Sequence, residues 1–155
     1  MKKLLTFALL LGLSLSLAAC GAAQKSDIAI GQALYKDGKC ADAQPYLDST
    51  IQNPEQITDL GLAYYLKGKC AEEAGNLPSA YANYYATKVV ACYSVDHDTQ
   101  INLNTYGRAE FCEQIIPKML EQMAPKIGAE KVEAIRAKVD KHLEDRYLQQ
   151  FYKKQ

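Results

Sequence analysis

The side chains best able to do chemistry in this 155-residue chain are five cysteines and the cluster Asp96-His97-Asp98. Cys20 follows an apolar leader and belongs with it. Cys40, Cys70, Cys92 and Cys112 remain, an even number that suits disulfide bonding in an oxidising compartment. Three pairings are possible. If the chain is a run of antiparallel helices, residues facing each other across a hairpin lie equally far from its turn. Cys40 and Cys70 are centred on position 55, at the turn signal Asn53-Pro54-Glu55, and Cys92 and Cys112 on position 102, inside the polar stretch from Asp96 to Asn104. That symmetry selects Cys40 with Cys70 and Cys92 with Cys112, each closure contributing roughly 3 kcal/mol on chain-entropy grounds. The competing chemistry is a metal site of Cys92, His97, Cys112 and His142, which no C-x-x-C pair supports. Paired thiols cannot act as nucleophiles. A calcium loop starting at Asp96 would need Gly where Ile101 stands and a bidentate carboxylate where Gly107 stands, and a catalytic dyad there lacks a nucleophile. A surface loop between helices is the better reading of that cluster. With no acid/base pair standing out, the expectation is a non-enzymatic protein with no metal and no cofactor.

Charge and composition narrow the partners. Lys and Arg number 18, as do Asp and Glu. Residues 1–19 hold eight Leu and two Lys with no acid, so the body from Cys20 onward has 16 basic and 18 acidic groups and a net charge of −2. A body without a basic block argues against nucleic-acid binding, where clustered cations replace phosphate counterions. Its apolar content is that of a globular chain and argues against disorder.

Met1, Lys2 and Lys3 precede an apolar stretch from Leu4 to Leu17, too short to cross a bilayer, which takes ~20 residues. Leu17-Ala18-Ala19-Cys20-Gly21 resembles the bacterial lipobox. The resemblance implies cleavage after Ala19, removal of residues 1–19 and lipidation of Cys20. Several acyl chains together, at ~0.8 kcal/mol per buried CH₂, hold a protein on a membrane without spanning it. In Gram-negative lipoproteins Asp after the cysteine favours retention at the inner membrane, so Gly21 points to the outer membrane, facing the periplasm. Residues 20–26 are then a short tether of small and polar residues, and 27–155 a single helical domain.

Within that domain the chain repeats itself. Residues 30–41 recur at 60–71 with seven of twelve positions identical, among them Gly31 with Gly61 and Cys40 with Cys70. A second register, offset by 37, aligns Gly31 with Gly68, Gly38 with Gly75, Ala43 with Ala80 and Thr50 with Thr87, and sets Leu47 against Tyr84. A first helix about two turns longer in the second unit reconciles the two. Helix, small-residue turn and helix at this period mark units that bury their faces by stacking. The pattern over about residues 24 to 93 resembles the tetratricopeptide repeat, with a plain helical bundle as the alternative. Departures are Asp27 at the usual aromatic position, Lys67 at an apolar one, and Pro54 one place early. The resemblance implies two helical hairpins over 27–93 whose first helices line a concave groove, placing Gln32, Tyr35, Lys36, Tyr65, Lys69 and Glu72 near it.

The remaining elements are helical too, with no strand-like alternation. Pro78 suits a helix start, and Pro45 requires the same first-turn placement. Phe111, Ile115, Ile116, Met119, Leu120 and Met123 predict an amphipathic helix kinked or divided by Pro117. Val132, Ile135, Val139, Leu143, Tyr147 and Phe151 form one stripe on a final helix that caps the repeats, so 105–155 completes an all-α domain without a sheet. Residues 126–155 carry eight basic and five acidic groups, a solvated face or one that leans on anionic headgroups or on the acidic body. Of eleven Tyr, six fall between Tyr64 and Tyr93, so many that some are expected to line a surface, where they suit protein recognition. The expectation is a membrane-anchored adaptor that binds an envelope protein or peptide. The second reading resembles a pilotin, a compact bundle that escorts one secretion or pilus subunit. An open tyrosine-lined groove distinguishes the first, one apolar cleft in a closed bundle the second.

Overall fold

The computed structural model describes residues 25–99 and 101–149; the leader, Cys20 and Phe151 lie outside them. Every regular element among the described residues is helical. Helix α1 (Asp27–Lys36) turns into α2 (Cys40–Gln52), and α3 (Ile57–Glu73) into α4 (Leu77–Asp96). Helix α5 (Leu103–Glu110) runs through a π-helical turn (Phe111–Ile115) into α6 (Ile116–Ile127), and α7 (Ala129–Leu143) ends in a second π-helical turn (Glu144–Leu148).

The 37-residue register is reproduced atom by atom in the first two hairpins. Gly38 and Gly75 both have φ of +72°, a left-handed conformation that suits glycine. Both close the same C-terminal motif: Lys39 N–H donates to Leu34 C=O and Asn76 N–H to Ala71 C=O. Thr50 and Thr87 each donate a hydroxyl to the carbonyl four residues back. A Cβ on Gly31 would stand 2.7 Å from Leu47 Cδ2, and one on Gly68 2.7 Å from the Tyr84 ring. In each hairpin a large side chain of the second helix therefore sits on a glycine of the first. The longer first helix of the second unit is also present: α1 has 10 residues and α3 has 17. Two of the three departures from the repeat pattern are bonds between helices, Asp27 accepting from Ser49 and Lys67 pairing with Asp48.

Helix α4 has buried residues over more than one face, through Tyr81, Tyr84, Ala86, Val90 and Ser94 among others, and only Asp96 at its end is fully exposed, which marks a central helix. Helices α3, α6 and α7 pack around it. Three bonds set α7 beside it: Arg136 Nε donates to Tyr81 Oη (2.8 Å), Tyr85 Oη to Asp140 (3.1 Å), and Tyr93 Oη to Leu148 C=O (3.3 Å). Each spans 55 residues, so the last helix and its π-helical extension run parallel to α4 in constant register. The cysteines pair as hairpin symmetry selects, Cys40 with Cys70 (Cα–Cα 5.5 Å) and Cys92 with Cys112 (5.0 Å).

One placement differs from expectation. Pro45 lies inside α2, beyond its first turn. The disulfide at Cys40 and the burial of Ala43 hold the start of that helix, so it extends further back than Pro45 alone permits. Pro78 behaves as expected, directly after Leu77, with Asn76 capping the helix by accepting from Ser79 N–H. The π-helical turn ahead of Pro117 takes up the interruption that the proline imposes.

The glycine contacts yield a contrast. Gly31→Ala presses on a terminal methyl of the buried Leu47, and the gain in helix propensity of up to ~1 kcal/mol offsets part of the strain, so it should cost less than the same change at Gly68. Gly68→Ala presses on a buried ring and should cost about 1–3 kcal/mol in urea unfolding. Equal effects of the two substitutions would refute this account.

Candidate functional site

Four of the six residues expected in a groove form one cluster. Tyr35 Oη donates to Glu73 (3.2 Å), Lys69 pairs with Glu72 (3.3 Å), and Tyr84 Oη donates to Glu72 (2.6 Å). The Tyr65 ring lies between those of Tyr84 (5.9 Å) and Phe111 (5.5 Å). Gln32 is half-buried and Lys36 exposed on α1, and neither joins this hydrogen-bond network among the described residues. The hydrogen bond from Tyr84 holds the Glu72 carboxyl below its usual range, with Lys69 adding to the effect and burial opposing it. Lys69 is held more firmly protonated: burial works against its charge, and the hydrogen bond to and charge of Glu72 outweigh it.

The tyrosines divide between core and surface. Tyr64, Tyr81, Tyr84 and Tyr147 are buried, whereas Tyr65, Tyr85 and Tyr93 are half-buried and Tyr106 is exposed. Each buried hydroxyl finds a partner: Tyr81 has Arg136, Tyr84 has Glu72, and Tyr64 and Tyr147 share a bond. Burial first, then Asp140, pushes the half-buried Tyr85 hydroxyl up to about 12. Arg136 lies 5.8 and 5.7 Å from the Tyr81 and Tyr85 rings, so its charge is met by two ring faces as well as by Glu133.

The Asp96-His97-Asp98 cluster is structural. His97 ends α4, stacks on Tyr93 at 4.0 Å and contacts the Tyr93 carbonyl through Nδ1. Asp98 accepts from Thr105 (2.7 Å) and pairs with Arg108, while Asn102 caps α5. This network and the Cys92–Cys112 bridge fix α5 to the end of α4.

Because α5 packs on α4 and not closely on α3, a groove of about 710 Å³ opens between the three. Ile57, Leu62, Val90, Ala91 and Phe111 give it an apolar lining, and Tyr65 is the expected site residue that reaches it. Leu103 stands at its lip 86 % exposed, with Ile101 at 77 % and Tyr106 at 65 % nearby. The sequence signal for this site was two apolar residues, Ile101 and Leu103, in a stretch otherwise read as a polar loop. On α3 the groove face of Thr58, Gly61, Leu62 and Tyr65 continues helically into Lys69 and Glu72, so the groove and the polar cluster adjoin.

Among the described residues no helix is long and apolar enough to cross a membrane. The chain matches no protein-family model, no curated protein and no solved structure.

The depressed Glu72 value sets a pH signature. A carboxyl that ionises more readily when folded adds stability above its ordinary value of 4.5 and loses it as pH falls through the folded value. Glu72→Gln should therefore lower the urea midpoint at neutral pH, with the gap closing below about pH 4. A gap of constant size across that range would count against the Tyr84–Glu72 bond.

Proposed function

We propose that this protein is a non-enzymatic, lipid-anchored lipoprotein of the cell envelope that binds another envelope protein through the groove between α3, α4 and α5. The observation that carries the binding part is the coincidence of that groove with Leu103, a large apolar side chain exposed at its lip, with the exposed Ile101 and Tyr106 close by in sequence. Exposed apolar surface concentrated beside a concavity is characteristic of protein-binding sites. Anchoring rests on the leader and on Cys20, and two disulfides accord with an oxidising compartment such as the periplasm. Gly21 favours the outer membrane. In this reading Tyr65, Lys69 and Glu72 form the polar end of the binding face, with Tyr35 bracing it through Glu73, while Gln32 and Lys36, on α1, lie outside it.

Two forms of this function differ in architecture. The tetratricopeptide-like adaptor is supported by the matched contacts of the first two hairpins and by the shared turn at Gly38 and Gly75. A pilotin-like escort is supported by the burial of four tyrosines around α4 and by the aliphatic lining of the groove, features of a closed bundle with one apolar cleft.

Crosslinking the full-length protein in cells, followed by mass spectrometry, should recover a dominant envelope partner, and Leu103→Asp should remove it. Recovery of no specific partner would defeat both forms. Palmitate labelling that persists in Cys20→Ser would defeat the anchoring. A client that leaves the outer membrane when this protein is deleted selects the escort; one that stays in place but fails to assemble selects the adaptor.

A further inference from the structure

The protein-binding reading, on which this inference rests, leaves the chemistry of the occupant open. Along α3 the groove runs from Gln56 to Tyr65, roughly 14 Å at about 1.5 Å per residue, and is walled by helices on both sides. That matches the apolar face of a helix of about ten residues. Its charges are one-sided. Glu110 lines one wall, and Glu55 and Asp59, outside the lining itself, flank the lining residues Gln56 to Thr58 in sequence at one end. Among the described residues none of these three carboxylates has an ion-pair partner. Arg108, the cation of the lining, is committed to Asp98. Burial and the like charge of Glu55 both raise the Asp59 carboxyl, as happens where a counter-cation is missing.

We infer that the groove takes a short basic amphipathic helix of a partner protein, its apolar stripe lying on Ile57, Leu62, Val90, Leu103 and Phe111 and its Lys or Arg over Glu55, Asp59 and Glu110. Leu103 closes over the stripe from the exposed lip. The polar end of the face, at Lys69 and Glu72, receives the next turn of the partner.

Two synthetic helical peptides with one leucine stripe test this, one flanked by lysines and the other by glutamates at the same positions, titrated against the disulfide-bonded protein from Cys20 onward by fluorescence anisotropy. The lysine peptide should bind, weaken as salt rises, and slow amide exchange over residues 57–65 and 103–111. Leu103→Asp, and separately Glu55→Lys with Glu110→Lys, should each weaken it about tenfold or more, the charge reversal shifting preference toward the glutamate peptide. All three side chains are exposed, and unchanged circular dichroism confirms that the variants fold. Equal affinity for the two peptides, or no binding of either, overturns the inference. So does sedimentation showing a dimer that covers the groove, or binding seen only after residues 150–155 are deleted. Peptide binding with no envelope protein captured in cells would remove the anchored-adaptor reading and leave this one standing.

Discussion

A central helix keeps buried polar atoms only where each finds a partner, and α4 satisfies that condition with tyrosine. Its ring carbons fill the core while its hydroxyl reaches across to a neighbouring helix. Tyr81, Tyr85 and Tyr93 reach α7 and the turn beyond it; Tyr84 reaches α3. The rest of the domain follows from those reaches. Because the bonds to the last helix keep a constant spacing of 55, α7 is fixed in register as well as in place. Because Tyr84 must lie flat on α3 to meet Glu72, position 68 is a glycine. With α3, α6 and α7 occupying the sides of α4, its end is left to α5, and the Cys92–Cys112 bridge joins the two there.

What could be read from the sequence was whatever depends on local or periodic signals. The helical class, both cysteine pairs, the glycine turns at 38 and 75 and the extra turns of α3 all follow from spacing. The glycine-on-large-residue contact is legible in the alignment of Gly31 with Gly68 and of Leu47 with Tyr84, because the same geometric need recurs at a fixed period. Pro45 was misplaced because its rule describes an isolated helix, whereas here the constraints at Cys40 and Ala43 come from outside the helix.

Which tyrosine is core and where the groove lies were not legible for a different reason. Whether a tyrosine is core or surface turns on a partner for its hydroxyl, and Arg136 and Asp140 lie 55 residues away from the rings they serve. Counting tyrosines in a window ignores such partners. The groove is a gap, produced by α5 standing off from α3, and no residue encodes a gap directly. Of the expected binding set, Tyr65, Lys69 and Glu72 lie along the groove face of α3 because they share its helical phase; Gln32 and Lys36 belong to a different helix and fall away from it.

The packing of α4 also decides how the molecule meets alkali and how it can be watched. The chain has no tryptophan and eleven tyrosines, so its near-ultraviolet absorption belongs to tyrosine, and much of that tyrosine is core. Burial holds the Tyr64, Tyr84 and Tyr147 phenols neutral well beyond the ordinary value of 10.0. A neutral form favoured by the fold means that stability is complete below that value and drains away as pH climbs above it. The core phenols therefore ionise as the fold opens rather than one at a time, and the share of the phenolate absorbance that belongs to them reports the bundle coming apart.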